Sequence, residues 1–321
     1  MFKLKRYAQN PILTPKKEHS WESRSVYNPA AVLKDGKVYL LYRATGRDKI
    51  DSIPISRLGL CVLKNDGVTI EKRYPFPVYE PKGRYEPAGC EDPRVTKIEG
   101  SYYMLYTAYW GNRVPALYKG EEVNIAMAET KDFLRWQRYG LILPSVQESE
   151  KNGILFPKKI NGVYVLYYRV YPDIWVAYSE SLKEPLWRKS KVVASPRKGY
   201  FDEYKIGAGA PPIETKDGWL FIYHGIDKNP AEYPKQFQYR VGVMLIDKEN
   251  PEKVLYRSQE PILEPVEEYE RKGEVPRVVF PCGAVVIKGT LFVYYGGADT
   301  VVGVATCKLS KLLNSIKEGT V

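Results

Sequence analysis

The sequence predicts an all-β protein folded as a five-bladed β-propeller, on the strength of its composition and of an internal repeat. Twenty-seven tyrosines, 24 prolines and 25 glycines among 321 residues favour many short strands interrupted by turns. A turn followed by an aromatic-rich strand occurs five times, which is the mark of a repeat architecture. The five turns are Asp35-Gly36, Glu99-Gly100, Asn161-Gly162, Asp217-Gly218 and Lys288-Gly289. A turn residue followed by glycine between two apolar runs is a strong hairpin signal.

Each of these turns is expected to lie inside a four-stranded unit. The predicted first strands, each introduced by a proline, are 30–33, 94–98, 158–160, 212–215 and 284–287. The predicted third strands are 58–63, 123–128, 174–178, 240–246 and 302–307, and the predicted fourth strands are 78–81, 141–144, 192–196 and 262–265. The fifth unit lacks a fourth strand, and residues 11–15 have the missing pattern near the N-terminus. An N-terminal strand is therefore expected to close the last blade, because radial repetition then leaves only short, protected sheet edges.

The whole chain, residues 1–321, is predicted to be a single propeller domain. Each blade needs its neighbours to bury both of its faces, so the blades cannot be separate domains. Residues 309–321 are expected to form a short helical tail, because Leu312, Leu313 and Ile316 follow helical spacing.

The composition and the net charge indicate which binding partners and which cellular location to expect. The net charge of +11 is spread along the chain and mixed with acids, so no nucleic acid partner is expected. No stretch approaches the roughly 18 apolar residues of a membrane span, and no signal peptide is visible, which predicts a cytoplasmic protein. The four cysteines stand far apart, which agrees with a reducing compartment and speaks against a metal site.

Polar side chains recur at one edge of the predicted hairpins. Asn28 and Asp92 each stand directly before an introducing proline. Arg43 and Arg169 follow their turn glycines by seven residues, and His224 stands one position earlier in the fourth repeat. The start of the first strand and the end of the second lie at the same edge of an antiparallel hairpin. These side chains are therefore expected to converge near the propeller axis.

The same edge is rich in cations. Arg94 follows Asp92 closely, and Lys205 stands in a segment with two glycines just before the fourth repeat's first strand. Arginine forks bind phosphate oxygens in pairs and lysine adds a point charge, which favours an oxyanion site. One carboxylate beside such a site suggests general acid catalysis, because phosphate is already a nucleophile and makes a water-activating carboxylate dispensable.

Several ordered blocks of this sequence resemble glycoside hydrolase family 130, the mannoside phosphorylases and related β-mannosidases. The blocks are 28–29 with 41–43, 89–94, 156–162 with 168–169, 205–212, 218–225 and 294–300, and they cover nearly the whole chain. The resemblance implies a five-bladed propeller. It further implies the inverting phosphorolysis of a β-mannoside to α-mannose 1-phosphate and a shortened acceptor. No cofactor is implied, since inorganic phosphate is the co-substrate.

The resemblance also implies roles for individual residues. Asp92 matches the family's general acid, which relays its proton through the 3-hydroxyl of the bound mannosyl unit. The positions that resemble the phosphate-binding set are Arg94, Arg169, Lys205 and His224, and those that resemble mannosyl contacts are Asn28, Arg43 and Asp299. Retention of the cations favours a phosphorylase over a hydrolase.

Two other functions stay open at the level of sequence. A hydrolase of the same fold would use Asp92 as acid and Asp202, Glu203 or Asp227 as base, and a non-catalytic propeller would only bind glycans. The linkage and the acceptor are expected to depend on loops such as 111–120 and 227–238. The oligomeric state is also open, with the insert at 48–57 as a candidate contact in a homo-oligomer.

Overall fold

A computed structural model describes residues 2–50, 52–111, 123–143, 150–183 and 187–321. The described chain is mostly β, which confirms the all-β part of the predicted fold class. The strands of its first half are β1 (Lys5–Arg6), β2 (Ser25–Lys34), β3 (Lys37–Ile50), β4 (Ile53–Leu63), β5 (Ile70–Arg73), β6 (Gly89–Ile98), β7 (Ser101–Tyr109), β8 (Val123–Thr130) and β9 (Gln137–Leu141).

The second half continues the same pattern of short strands. Its strands are β10 (Glu150–Leu155), β11 (Tyr164–Val170), β12 (Asp173–Ser179), β13 (Arg188–Ala194), β14 (Lys205–Ala208), β15 (Ile213–Thr215), β16 (Gly218–Ile226), β17 (Tyr239–Ile246), β18 (Val254–Arg257), β19 (Val279–Ile287), β20 (Thr290–Gly297) and β21 (Val301–Lys308). The helical segments are a 3₁₀ turn (Ser20–Glu22), α1 (Glu268–Arg271) and α2 (Leu309–Lys317).

These strands fall into five antiparallel units of the predicted kind. Unit 1 is β2 to β5, unit 2 is β6 to β9, and unit 3 is β10 to β13. Unit 4 is β14 to β18, with β14 and β15 sharing the first position against β16, and unit 5 is β19 to β21 with β1. Units 1 and 2 are joined by one parallel bridge between Ser56 and Gly89. The N-terminal β1 pairs with β21, so the first and last segments of the chain share one sheet.

The turns explain why the repeat is offset by one residue in unit 4. In unit 1 the turn residues Asp35 and Gly36 both have positive φ, 51° and 74°, as tight hairpins of mirror-image type require. In unit 4 the turn is shifted, because Thr215 pairs with Gly218 and the glycine already belongs to the strand. His224 therefore occupies the same place in its strand as Arg43 does in unit 1.

The first strands are longer than the sequence predicts, and the third one lies elsewhere. The predicted strand 158–160 is wrong. Residues 150–155 pair with β11, and Ile160 makes only an isolated bridge to Val163. The proline that introduces the other first strands is replaced here by Gly153, and Pro157 comes after the strand has ended.

The fourth strands also differ from the prediction. In units 1 and 4 the main outer strand comes before the predicted segment that ends in proline. Within those two segments, Tyr79 and Leu263 each make only a single bridge. The same holds at the N-terminus, where β1 is the strand and Leu13 bridges to Val302. The predicted segment 141–144 overlaps the end of β9, and its last residue lies outside the described residues.

Apolar clusters fill the spaces between consecutive units. Each cluster draws side chains from two units, and one of them joins unit 5 to unit 1. Representative pairs are Leu58 with Met104, Leu105 with Leu166, Val165 with Phe221, Ile222 with Val293, and Val304 with Leu40. Each unit therefore buries both faces against its neighbours, which ties the stability of each unit to the next.

The C-terminal helix covers one of these clusters. Leu312, Leu313 and Ile316 of α2 are buried against units 4 and 5, as their spacing predicts. Within the described residues, no helix has the length and apolar character needed to cross a bilayer. The four cysteines are free thiols.

The pairing of β1 with β21 is tested by substituting Arg6. Its guanidinium binds the fully buried Glu270 carboxylate with two contacts of 2.8 Å. We expect Arg6→Ala to lower the free energy of unfolding by about 2–3 kcal/mol, because a buried carboxylate loses its ion pair. Denaturant unfolding measures this loss. The exposed Lys5 on the same strand is the control, and an equal loss in Lys5→Ala would contradict the assignment.

Candidate active site

Three first strands carry the same backbone irregularity at the edge where the site lies. Asn28, Asp92 and Asn152 have φ of 48°, 49° and 57°, and each lies where the strand pairing shifts register. Asparagine and aspartate tolerate this left-handed conformation better than other residues with side chains. The bulges re-aim these three side chains out of the regular strand alternation.

The second strands supply the cations at matching positions. Arg43 pairs with Tyr27, Arg169 with Lys151, and His224 with Gly207 across their hairpins. Arg43, Arg169 and His224 thus occupy matching positions in units 1, 3 and 4, and of these three Arg43 and Arg169 line a common cavity whereas His224 is not in its lining.

The converging side chains line a cavity of about 210 Å³. Its lining residues are Asn28, Arg43, Glu91, Asp92, Lys151, Asn152, Arg169, Lys205, Tyr239, Val275, Val278, Phe280 and Asp299. Carboxylates come from units 2 and 5, whereas Lys151, Arg169 and Lys205 come from units 3 and 4. The cavity is therefore charged with opposite signs on two sides.

The carboxylate side is a hydrogen-bonded network around Asp92. Asn28 Nδ2 donates to Asp92 Oδ1 at 2.8 Å, and Arg43 Nη1 donates to the same oxygen at 3.3 Å. Arg43 also binds Glu91 Oε1 at 2.6 Å and Ser56 Oγ at 3.0 Å. The Arg43 guanidinium lies 4.7 Å from the centre of the Tyr27 ring, which fixes its plane.

In this network the pKa of one carboxyl group, Asp92, is lowered and that of another, Asp299, is raised. Burial alone would raise the pKa of Asp92, but the Arg43 and Arg94 guanidinium groups hold it below its ordinary value. Burial raises the pKa of Asp299 to about 7 against the pull of Arg43, and the charge of Asp92 contributes to the rise. The lowered pKa of Asp92 favours its ionised form, whereas Asp299 titrates near neutrality.

On the cationic side, Lys151 feels the charges of Glu91 and Asp92, whereas Lys205 is affected by other cations. Burial, together with the charges of Arg169 and Lys151, lowers the pKa of Lys205 to about 7. Burial also lowers the pKa of Lys151. Neither lysine forms an ion pair with a carboxylate in the part of the chain that the structure describes. Like charges held together in a dry site favour the entry of an anion.

His224 lies directly beneath this side of the cavity. Its imidazole is fully buried, and neither ring nitrogen has a hydrogen-bond partner among the described residues. Oδ1 of Asn152 is likewise without a partner there. A side chain at Gly207 would lie 2.6 Å from both groups, so this glycine lets them meet. Burial and the nearby Arg169 lower the pKa of His224, which keeps the imidazole neutral.

Arg94 lies behind the cavity rather than in its lining. Its guanidinium donates to the backbone carbonyls of Asp92, Ala208 and Gly209 at 2.8, 3.1 and 2.9 Å. Because these carbonyls belong to units 2 and 4, Arg94 ties the Asp92 bulge to the β14 segment. Three of its five N–H groups are thus engaged with the protein itself.

The three carboxylates considered as hydrolytic bases lie outside the cavity lining. Asp202 is fully buried and binds Arg197, Arg257 and Tyr223. Asp227 binds Arg240, and Glu203 accepts a backbone hydrogen bond from Gly199.

Sequence reasoning missed Lys151 and Asn152. The signal that could have found them is Asn152 itself, since asparagine before glycine in an apolar run marks a left-handed residue like Asn28 and Asp92. Glu91 and Tyr239 were also missed as cavity residues. Among the described residues, no group of three or more His, Cys, Asp or Glu side chains could hold a metal ion.

Comparison with known proteins agrees with this geometry. Residues 3–318 match the profile of glycoside hydrolase family 130, described as beta-1,4-mannooligosaccharide phosphorylase. The chain belongs to this family. The predicted family is thereby confirmed, and the chain is a β-mannoside phosphorylase of glycoside hydrolase family 130.

Similar proteins match along almost the full length. A 1,2-beta-oligomannan phosphorylase of Thermoanaerobacter sp. (strain X514) is 43% identical over 314 residues, covering 97% of this chain and 99% of that protein. The solved structure of a beta-1,2-mannobiose phosphorylase from Listeria innocua has a TM-score of 0.83 at 27% identity, covering 98% and 99% of the two chains. A family structure from work on hydrolases that target beta-1,2 mannosidic linkages in Candida mannan has a TM-score of 0.85 at 28% identity, covering 97% and 95%.

The crowding of cations predicts a pH-dependent stability effect at Lys205. Since folding lowers its pKa from 10.5 to about 7, the buried charge is a full penalty below pH 7, and this penalty disappears as the pH rises to about 10.5. We expect Lys205→Met to raise the free energy of unfolding by about 2 kcal/mol at pH 7 and by almost nothing at pH 10.

Denaturant unfolding at both pH values measures this difference. Lys216→Met is the control, because Lys216 is exposed in a turn of the same unit. A gain in Lys205→Met that is equal at pH 7 and pH 10 would show that the lysine is not held under electrostatic stress.

Proposed function

We propose that this chain cleaves β-1,2-linked mannooligosaccharides by inverting phosphorolysis, giving α-mannose 1-phosphate and a shortened oligosaccharide. The observation that carries the proposal is a small cavity that Asp92 shares with three half-buried cations, Lys151, Arg169 and Lys205, and neither lysine has an ion-pair partner in the described chain. A hydrolase needs a carboxylate to activate water, whereas a phosphorylase needs an anion site. The cavity fits the second requirement.

The β-1,2 linkage is supported by the names of two similar proteins. One acts on 1,2-beta-oligomannan and the other was solved with beta-1,2-mannobiose. The family profile itself carries a β-1,4 description, so β-1,4-mannosides are the comparison substrates. The loop 111–120, which the sequence analysis connects with linkage choice, lies outside the described residues apart from Gly111.

The carboxylate side suits the mannosyl unit. Asn28, Arg43 and Asp299 present an amide, a guanidinium and a carboxyl to the cavity, and sugar hydroxyl groups can donate to or accept from each of them. Among the described residues, Asp299 forms no hydrogen bond or ion pair that would compete for its oxygens, and with a pKa of about 7 it can either donate or accept. The mannosyl unit is thus held between units 1 and 5, next to Asp92.

The cationic side suits inorganic phosphate. Lys151, Arg169 and Lys205 supply positive charge, and neutral His224 supplies one donor nitrogen. Phosphate would restore the charge balance of the lysines and give a partner to the orphaned imidazole. The phosphate contact that the resemblance implies for Arg94 stays a prediction. Three of its five N–H groups hold backbone carbonyls and so position Asp92.

The chemical step follows from this division. A phosphate oxygen forms a bond to the anomeric carbon while the glycosidic bond breaks on the opposite face, so the configuration inverts. Asp92 gives its proton to the leaving oxygen through the 3-hydroxyl of the mannosyl unit. Because its pKa is low, Asp92 is ionised before the substrates bind, so it must first gain a proton. Bound phosphate offsets the positive charges that keep this pKa low, and bound mannoside excludes water from the site. Both changes raise the pKa of Asp92.

We also propose that the five units close into a single five-bladed propeller domain with this cavity near its axis. The cluster between units 5 and 1, and the pairing of β1 with β21, support closure. The four free thiols support the cytoplasmic location that the sequence predicts.

The reaction is tested by incubating the protein with β-1,2-, β-1,3- and β-1,4-mannobiose, with and without inorganic phosphate. We expect α-mannose 1-phosphate to form only when phosphate is present, and fastest from the β-1,2 disaccharide. Chromatography and the anomeric proton signal identify the product. Free mannose formed at equal rates without phosphate would make the protein a hydrolase.

The role of Asp92 is tested with Asp92→Asn. We expect kcat to fall by about 10²- to 10⁴-fold, because the leaving oxygen no longer receives a proton. Initial rates of mannose 1-phosphate formation measure the loss. Asp35→Asn is the control, since Asp35 also has a positive φ but is exposed at the far end of unit 1. A loss below tenfold in Asp92→Asn would assign the acid to another group.

A further inference from the structure

Within the described residues, units 1, 2, 4 and 5 contain the same buried trio, which the reaction itself does not use. In each, a tyrosine hydroxyl near the end of the second strand donates to a buried carboxylate, and an arginine of the outer strand binds the same carboxylate. The trios are Tyr42–Glu22–Arg73, Tyr106–Glu86–Arg138, Tyr223–Asp202–Arg257 and Tyr295–Glu270–Arg6. We call each of them a clasp.

The clasps occupy the same register in every unit. In unit 4, Tyr223 pairs with Gly242, and Arg257 pairs with Met244, two residues further along the third strand. The same two-residue step separates the partners of the tyrosine and the arginine in units 1, 2 and 5. The clasp is thus a property of the repeat rather than of one location.

Burial makes each clasp strong. The carboxylates of Glu22, Asp202 and Glu270 are fully buried, and that of Glu86 is 4% exposed. A buried carboxylate that keeps two or more charge-assisted partners is stable, but the loss of one partner leaves it poorly solvated. The Tyr223 hydroxyl lies 2.7 Å from Asp202 Oδ2, and Arg257 Nη2 lies 2.7 Å from the same oxygen.

In three units the tyrosine ring also packs against a glycine of the third strand. A side chain placed at Gly59, Gly242 or Gly303 would lie 2.4 to 2.6 Å from the ring of the facing tyrosine. The tyrosine therefore lies flat on the third strand. Besides binding the carboxylate of its clasp, its hydroxyl accepts from Arg73 Nε at 3.1 Å in unit 1 and from Arg257 Nε at 3.2 Å in unit 4, and in unit 5 it contacts the Tyr269 hydroxyl at 3.0 Å.

The residue after the tyrosine is what connects the clasp to the cavity. Arg43 follows Tyr42 and His224 follows Tyr223, and successive side chains of a strand point to opposite faces. Fixing the tyrosine on one face therefore fixes the backbone from which the next side chain projects on the other. In unit 5 the following residue is Gly296, which has no side chain to position.

We infer that the clasp of unit 4 positions His224 for phosphate, with Tyr223 and Asp202 acting as positioning residues. This inference rests on the proposed function, since it takes His224 as a phosphate contact. His224 makes no hydrogen bond within the described chain, so its orientation depends on packing and on its backbone. The Phe280 ring packs against it with 4.3 Å between ring centres, and the clasp holds the backbone.

The test compares the same hydroxyl deletion in two clasps. Tyr223→Phe removes the hydrogen bond to Asp202 beside His224, and Tyr295→Phe removes the equivalent bond to Glu270 beside Gly296. We expect both variants to lose similar thermal stability. Only Tyr223→Phe is expected to raise the KM for phosphate, by about five- to tenfold, with kcat at saturating phosphate changed less than twofold.

His224→Ala is measured alongside to separate this inference from the proposed function. A raised phosphate KM in His224→Ala, together with an unchanged one in Tyr223→Phe, overturns the positioning role and leaves the phosphate site in place. An unchanged phosphate KM in His224→Ala overturns the phosphate contact and the inference with it. Equal rises in Tyr223→Phe and Tyr295→Phe also overturn the inference, because the effect would then be one of general stability.

Asp202→Asn serves if Tyr223→Phe does not fold. The amide keeps the shape and one acceptor oxygen but removes the charge that binds Arg257. The same rise in phosphate KM is expected, and a normal value overturns the inference.

Discussion

Positive charge without an ion-pair partner is the constraint on which this site depends. Lys151 and Lys205 line a small cavity with Arg169, neither lysine is ion-paired among the described residues, and burial together with the charge of Arg169 lowers the pKa of both. Such an arrangement costs stability. If the proposed function holds, phosphate in the cavity relieves this repulsion.

The backbone that holds these charges is the same in several units. A left-handed residue in the first strand and a long side chain at the end of the second strand recur at one sheet edge, and the identity of those residues varies with the unit. Asn28 donates to Asp92 in the carboxylate network, whereas Asn152 lies beside Gly207 at the cationic side. The repeated backbone determines where these side chains lie, and the residue types at those positions, which differ from unit to unit, determine the chemistry.

The sequence alone predicted much of this arrangement, for physical reasons that also explain the misses. Asp92, Asn28 and Arg43 could be found because proline and glycine mark the ends of their strands. Lys151 and Asn152 were missed because unit 3 lacks the marking proline. The position of Arg94 could not be inferred either, since its backbone partners Ala208 and Gly209 are more than 100 residues away in sequence.

The clasps were beyond sequence reasoning for a similar reason. A tyrosine in a repeated strand is normally interpreted as a core residue. The carboxylate and the arginine come from separate segments of the chain, and their register is defined only in the folded sheet. Their recurrence shows that the strands carrying the site are held by polar contacts at their backs as well as by the apolar clusters between units.

The central claim is that the cations of the cavity form an anion-binding site. Calorimetric titration of phosphate into the mannoside-free protein tests this claim most directly. At pH 8, in buffers of different ionisation enthalpy, the account predicts that phosphate binds and that the protein takes up protons. Bound phosphate raises the pKa of Lys205, which is about 7 in the empty site, so the lysine gains a proton. Phosphate binding with no proton uptake, or no binding, would contradict the account.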